Sequence, residues 1–412
     1  MNLINFPLEF FKSNRERLRQ KVSSDIPMVI VANGILQRGA DSSYPFIQDA
    51  NFWYLTGIND PDIILVMEED REYLIVPIRE GTRVSFDGQI DQESIAESCG
   101  ITDIVNEVSG WKRLDAVLAK TRSLATLAPA PLFIEQYGMY SNPARARFIE
   151  RVQKHINDLN LIDIRPELAN LRMIKQPIEV QAIQTAIDIT NKTLRDVIKQ
   201  PAGTYKYEYQ IEADISRGFR YLGAQNHAFE PIIAGGDRAC TLHNISNSAA
   251  LSPNELVVMD VGASVFGYAA DITRMYCNGK PTDRQRDVFN AVSECQLYAI
   301  DLLKPGCKLK NYENKVMRFL GGKLKELKLI NSIKEEEVRT FFPHATSHFL
   351  GLNVHDVGDY RQPLQPGTVL TVEPGIYIPK ENIGVRIEDD ILITDDGNKV
   401  LSKNLPSKLK LI

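Results

Sequence analysis

The stretch ELVVMDVGASVFGYAADITRMY, residues 255–276, constrains the fold more than any other part of the chain. Two runs rich in β-branched and aromatic residues flank a glycine-containing turn, the pattern of a hairpin. A hairpin centred on Val265-Phe266 sets Asp260 and Asp271 directly across from each other. Opposed residues on one face have Cβ atoms about 4.5–5.5 Å apart, and two carboxylates that close repel. A shared proton, a cation or a metal has to compensate. Read alone, the pattern also allows two aspartates that merely cap turns.

A second β-rich stretch, TVEPGIYIPKENIGVRIEDDILIT, covers residues 371–394. Glu373 ends an apolar run just before Pro374-Gly375. In the strand that follows, Arg386, Glu388, Asp390 and Leu392 share one face by alternation, and Val385, Ile387, Asp389, Ile391 and Ile393 the other. An Arg–Glu pair on a solvent-facing sheet is the plainer reading of that face. Between the two stretches lies HATSHFLGLNVHDVG, with three of the chain's six histidines at 344, 348 and 355. If this segment is helical, His344 and His348 share a face as in the HExxH metal motif, although no Glu follows His344.

The rest of the chain bounds the answer. Its 412 residues, 43% hydrophobic and 25% charged, fit a soluble globular protein of two or three domains. A net charge of −5 without a basic stripe suggests neither a nucleic-acid nor an anionic-membrane partner. Five scattered cysteines with no CxxC fit a reducing compartment and argue against disulfides and thiolate metal sites. Glu9 and Lys12 interrupt the N-terminus before a signal peptide's apolar region can form. The longest apolar runs, such as IILVM at 63–67, fall far short of the roughly 20 residues that span a bilayer. The expectation is a cytoplasmic protein.

Strand-like runs at 28–33, 63–68, 73–78 and 132–136 alternate with amphipathic stretches at 107–120 and 143–158, an α/β pattern. A long helix is expected from Pro177 to Pro201-Ala-Gly. A second should run from an N-cap at Thr282 to Pro305-Gly306, and a third over 312–328. Helices followed by frequent antiparallel strands then suggest an α+β domain. The expected division is an α/β domain over 1–168 and an α+β domain over 169–412.

Taken together, Asp, Asp, His, Glu and Glu form an oxygen-rich donor set with one imidazole, suited to Mn²⁺-like cations. Four carboxylates exceed the charge of one divalent ion, and a pair of ions bridged by carboxylates balances them.

The segments MDVGA, GYAADITR, SHFLGLNVHDVG, TVEPGIY and GVRIEDD resemble the five metal-ligand motifs of the creatinase-like, "pita-bread" metallopeptidases. The segment ADSSYPFIQDANFWYLTG, residues 40–57, resembles the amino domain of the Xaa-Pro aminopeptidases (aminopeptidase P) in that group. The resemblance implies a creatinase/aminopeptidase P-like N-domain followed by a pita-bread domain. It implies metal ligands Asp260, Asp271, His348, Glu373 and Glu388, with Asp271 and Glu388 bridging two divalent ions. Mn²⁺ is the first expectation, with Co²⁺ or Zn²⁺ as alternatives. Glu373 doubles as acid and base beside a metal-bridging hydroxide. His355 and His243, the latter in GGDRACTLHN, face the substrate near the scissile bond. His344 helps to form the proline pocket, and Tyr377 and Arg386 also fall on family positions. Asp41 matches an acid that approaches a neighbouring subunit's site, which implies a homodimer or homotetramer.

The implied activity is hydrolysis of the N-terminal residue from peptides with proline second. An Xaa-Pro dipeptidase using the same metals is the alternative. A non-catalytic peptide- or protein-binding module on the same fold is a remoter one. Methionine aminopeptidases share the second domain but usually lack the first.

Overall fold

The computed structural model describes residues 5–129 and 137–405. They divide into two compact units, Asn5–Leu171 and a second that begins at Arg172.

The first unit is built on a six-stranded sheet. Its strands are β1 (Met28–Val31), β2 (Ile64–Met67), β3 (Glu72–Val76), β4 (Ile104–Asn106), β5 (Ser123–Thr126) and β6 (Asn160–Asp163). They lie in the order β4-β3-β2-β1-β5-β6. The central β1, β2 and β3 are antiparallel; β4, β5 and β6 join in parallel. Every residue of β1 and β2 is buried, as strands covered on both faces require. The amphipathic stretches fold as helices Glu107–Thr121 and Ala144–His155. Their Leu114, Leu118, Phe148 and Val152 share a core with Val29, Val66 and Ile75. The expected strand at 132–136 lies outside the described residues.

The second unit carries β7 (Asn226–His227), β8 (Ile232–Gly235), β9 (Leu256–Val261), β10 (Ala263–Val265), β11 (Tyr268–Ala269) and β12 (Ile272–Cys277). Then follow β13 (Val369–Val372), β14 (Gly375–Ile378), β15 (Ile383–Arg386), β16 (Asp389–Ile393) and β17 (Asn398–Val400). They assemble as β8-β9-β12, β7-β10-β11, β13-β16-β17 and β14-β15, every pair antiparallel.

Helix Pro177–Ile198 begins on its proline, and the backbone N–H of Gln176 donates to Glu179 at 2.9 Å. Helix Asp283–Leu302 opens on a reciprocal cap: Gln285 N–H donates to the Thr282 hydroxyl, and Thr282 N–H to the Gln285 side chain. The third helix runs Leu309–Glu326, three residues earlier at its start than expected. No side chain caps that start, so no residue type marks it, and Lys328 at φ +60 closes its end. Val292, Cys295, Val316 and Leu320 from these helices pack with Leu370, Ile376, Val385 and Ile391 of the sheets.

The Asp260/Asp271 hairpin forms, in a different register. Asp260 pairs with Thr273, and Val265 with Tyr268. The turn is Phe266-Gly267, at φ +51 and +80, the two positive values that a tight hairpin loop favours. Moving the centre by one residue shifts each pairing by two. Asp260 and Asp271 therefore share a face as diagonal neighbours rather than direct opposites. Gly262 lies where a Cβ would come within 1.7 Å of the Ala270 carbonyl oxygen, so only glycine fits between the strands.

The expected continuous strand over GVRIEDDILIT is broken at Ile387-Glu388, because β15 pairs with β14 while β16 pairs with β13. One register still runs through both pairs. Gly375 opposes Arg386 and Val372 opposes Asp389, which sets Glu373 across from Glu388.

Candidate metal centre

Three backbone features bring the acidic side chains together. The hairpin β9–β12 contributes Asp260, Asp271 and Thr273 from one face. The junctions between β13 and β14 and between β15 and β16 contribute Glu373 and Glu388. The third is the segment Thr346–Leu350, which runs extended beside β13: Thr371 N–H donates to His348 O at 3.0 Å and Glu373 N–H to Thr346 O at 2.9 Å. It is not helical, so His344 and His348 do not share a helix face. Pairing with β13, not the spacing of four, aims His348.

His348 Nδ1 lies 3.1 Å from Phe349 O, which holds the proton on Nδ1. The Nε2 lone pair is left facing Asp271 Oδ2 at 3.4 Å and Glu373 Oε1 at 3.5 Å. Asp271, His348 and Glu388 each offer a ligand atom, all within 4.8 Å of one another. Thr273 donates its hydroxyl to Glu388 Oε2 at 2.7 Å and accepts from Arg386 Nε at 3.3 Å. Arg386 also donates to Asp260 Oδ2 at 2.6 Å and to the Tyr377 hydroxyl at 2.9 Å. That hydroxyl meets His344 Nε2 at 2.8 Å, and His344 Nδ1 lies 2.9 Å from Ala345 O. Since Tyr377 accepts from Arg386, it donates to His344, which is then neutral with its proton on Nδ1. Burial, followed by the Arg386 charge, pushes His344 down to about 3.

The charge balance is lopsided. Asp260, Asp271, Glu388 and Asp390 are buried and Glu373 half-buried; Arg386 pairs with Asp260, while Arg274, already paired with Asp389, donates to the Glu388 carbonyl. Burial, then Asp260, Asp390 and Glu373, raises Asp271 well above the usual carboxylate range. Burial, then Asp271 and Glu373, does the same to Glu388. Burial pushes Glu373 up to about 7 while His348 and Arg386 pull it down. Among the described residues, Asp260 Oδ1 and Asp390 Oδ1 are buried without a hydrogen-bond partner. Surplus negative charge, an unpartnered carboxylate oxygen and a free imidazole lone pair fit hard or borderline divalent cations.

His355 stacks on His348, centroids 4.0 Å apart and planes 22° from parallel. Burial of the ring, and then charge on His348 and His243, lowers its proton affinity. His243 is solvent-exposed, within electrostatic reach of both His344 and His355. Asp356 turns inward beside His355 and meets Arg172 Nη2 at 2.5 Å and Lys175 Nζ at 3.3 Å. Asp41 lies on an exposed bend of the first unit. Sequence reasoning gave no part to Thr273 or Asp390. Alternation already sets Asp390 on the face of Glu388, and it likewise sets Thr273 on that of Asp271. Asp390 Oδ2 accepts the Asp271 N–H at 3.1 Å.

A family model described as metallopeptidase family M24 matches residues 181–395, and one described as the aminopeptidase P N-terminal domain matches 11–126. The Xaa-Pro aminopeptidase of Haemophilus influenzae is 32% identical, over 99% of this chain and 97% of that protein. A putative aminopeptidase P from Bacillus anthracis has a TM-score of 0.91 at 30% identity, covering 98% of this chain and 97% of that one. Aminopeptidase P from Escherichia coli with the inhibitor Pro-Leu gives 0.87 at 29%, with the same coverage. The chain belongs to the Xaa-Pro aminopeptidase, or aminopeptidase P, family of the M24 metallopeptidases.

Proposed function

We propose that this chain is a metal-dependent Xaa-Pro aminopeptidase that releases the first residue of peptides with proline second. The observation that carries the reading is the trio Asp271, His348 and Glu388, with ligand atoms within 4.8 Å of one another, joined by Glu373 at 3.5 Å from His348 and by Asp260 on the Arg386 guanidinium. Bound divalent ions supply Lewis acidity, polarising a carbonyl and making water nucleophilic near neutral pH.

The protein's own groups do the rest. Glu373, across from Glu388, takes the proton of the attacking water and returns it to the departing proline nitrogen. His355 and His243 donate to the substrate's carbonyl oxygens as charge develops there; removing one such donor typically costs about 3–4 kcal/mol. His344 and Tyr377 form a wall of the proline pocket, and neutral His344 puts no cation against the ring. The proline nitrogen of the scissile bond carries no N–H, so selection comes from fitting the ring and holding the carbonyls. Arg386 holds Asp260 and Tyr377 in place.

The metal is read as a pair of Mn²⁺ ions, the hard member of the set that this donor composition favours; Co²⁺ and Zn²⁺ are the other candidates. A solved relative is titled as zinc-substituted aminopeptidase P from Escherichia coli in complex with product. Asp41 is read as the rim residue of a neighbouring subunit's site, in a homodimer or homotetramer. The five cysteines are all free, which supports a reducing, cytoplasmic setting. No described helix is long and apolar enough to cross a membrane.

A peptide-length series tests the reading. With Mn²⁺, Xaa-Pro-Xaa and longer peptides should lose their first residue, and a chelator should abolish the reaction. Turnover of Xaa-Pro dipeptides alone would make the protein a dipeptidase. Metal binding without any turnover would make it a binding module.

A further inference from the structure

The loop that carries His243 has no regular structure from Thr241 to Ser248, and most of its side chains are exposed. Residues 241–246 make short local turns of their own, Asn244 N–H donating to Thr241 O at 3.1 Å and Ile245 N–H to His243 O at 3.0 Å. The loop's two ends are fixed by buried polar side chains that the chemistry above does not use.

Asn247 is 1% exposed, at φ +44. Its Oδ1 accepts from Ile233 N–H at 2.9 Å, and its Nδ2 donates to Pro231 O at 2.8 Å and Glu212 Oε2 at 2.9 Å. One amide thereby ties the loop to β8 and to helix Glu208–Tyr221. Glu208, fully buried, repeats the device two residues on. Its Oε1 accepts from Gly235 N–H at 2.9 Å and Arg238 Nε at 2.7 Å, and its Oε2 from Ala249 N–H at 3.0 Å. One carboxylate clamps the chain on both sides of the His243 segment. Short polar side chains that fix a backbone in this way normally cap turns or helices. Here they are buried around an exposed histidine that reaches His344 and His355 electrostatically.

We propose that Asn247 and Glu208 are positioning residues that hold His243 against the scissile-bond side of the site. The proposal rests on the substrate-facing role given to His243 above. It assigns neither residue a contact with substrate or metal. No proposed metal ligand lies on this loop, but β8, which both side chains also hold, pairs with β9 at Ile232–Asp260, so the Mn²⁺ affinity of the variants separates a loss through His243 from one through Asp260.

The test is a cycle of H243A, N247G and their double variant in the full-length, Mn²⁺-loaded protein. Glycine tolerates the positive φ at 247 while removing the amide, at the cost of a freer backbone there. Displacement by about 1 Å costs roughly 100-fold in well-positioned sites, so N247G should lower kcat/KM by about 10- to 100-fold. The double variant should be no worse than H243A alone. Mn²⁺ affinity should be unchanged, and hydrogen exchange should quicken at residues 241–246 and at Ile233, whose N–H loses its acceptor. E208Q, which keeps one carbonyl acceptor but sets its NH₂ against a backbone N–H, should show the same non-additivity if N247G does not fold. Losses that multiply in the double variant, full activity in N247G, or full activity in H243A would each overturn the proposal. Those outcomes leave the hydrolase reading standing; absence of Xaa-Pro cleavage by the unaltered protein would remove that reading instead.

Discussion

Arg386 donates to Asp260 Oδ2 at 2.6 Å, while Asp260 Oδ1 stays buried with no hydrogen-bond partner among the described residues. One oxygen is held by the protein and the other is left for a cation. The same guanidinium reaches Tyr377 and Thr273, so a single planar fork orients the acid, the phenol and the hydroxyl beneath Glu388.

R386K keeps the charge and loses the fork. Partners of this kind typically contribute 10- to 100-fold to metal affinity. Titration calorimetry should show Mn²⁺ binding weakened by about that factor. Unchanged affinity would mean that Arg386 only balances charge.

Protonation and metal binding compete for the same oxygens. Glu373 is pushed up to about 7, and Asp271 and Glu388 are raised well above the carboxylate range, all chiefly by burial. Their folded-state pKa values exceed unfolded values of about 4. For the metal-free protein their contribution is therefore fully present below about pH 4 and is lost as pH rises through the folded values. Metal replaces the protons. The gain in Tm from saturating Mn²⁺ should grow between pH 5 and pH 7.5, and binding at pH 6 should release protons. Calorimetry in buffers of different ionisation enthalpy reads that release; a buffer-independent heat would contradict it.

Asp356, Arg172 and Lys175 form a buried ionic group beside His355, with side chains 1–2% exposed. D356N removes the carboxylate that Arg172 and Lys175 share. Breaking such a group from one side costs about 3–5 kcal/mol. K175M leaves Asp356 paired with Arg172 and should cost less. Urea denaturation should therefore rank the stabilities wild type, K175M, D356N. The reverse order of the variants would show that Lys175, not Asp356, anchors the group.

Gly262 separates the strands that carry Asp260 and Asp271. An added Cβ would meet the Ala270 carbonyl at 1.7 Å, a backbone atom that cannot swing aside. G262A should destabilise the fold by about 3 kcal/mol, the upper range for overpacking. It should also weaken Mn²⁺ binding. A stable, fully metal-competent G262A would mean that the hairpin opens without disturbing the two acids.

Alternation along the strands made it readable which side chains share a face. It did not settle register. Alternation puts Asp260 and Asp271 on one face, as the structure has them, but a turn at Val265-Phe266 would pair them directly; Phe266 instead adopts a positive φ that its residue type does not advertise. Helix starts with a chemical marker, Pro177 and Thr282, were legible; the unmarked start at Leu309 was not. His344 and His348, four apart, suit either a helix or an extended segment, and only pairing with β13 decides between them. Contacts such as Arg172 with Asp356 or Asn247 with Ile233 join parts of the chain with no shared local pattern, so the sequence carries no sign of them.

The most direct test of the metal centre counts ions. Protein dialysed to equilibrium against Mn²⁺ should hold two ions per chain by elemental analysis. Chelation should remove both, together with cleavage of an Xaa-Pro tripeptide. Fewer than one ion per chain, or cleavage indifferent to the chelator, would contradict the account.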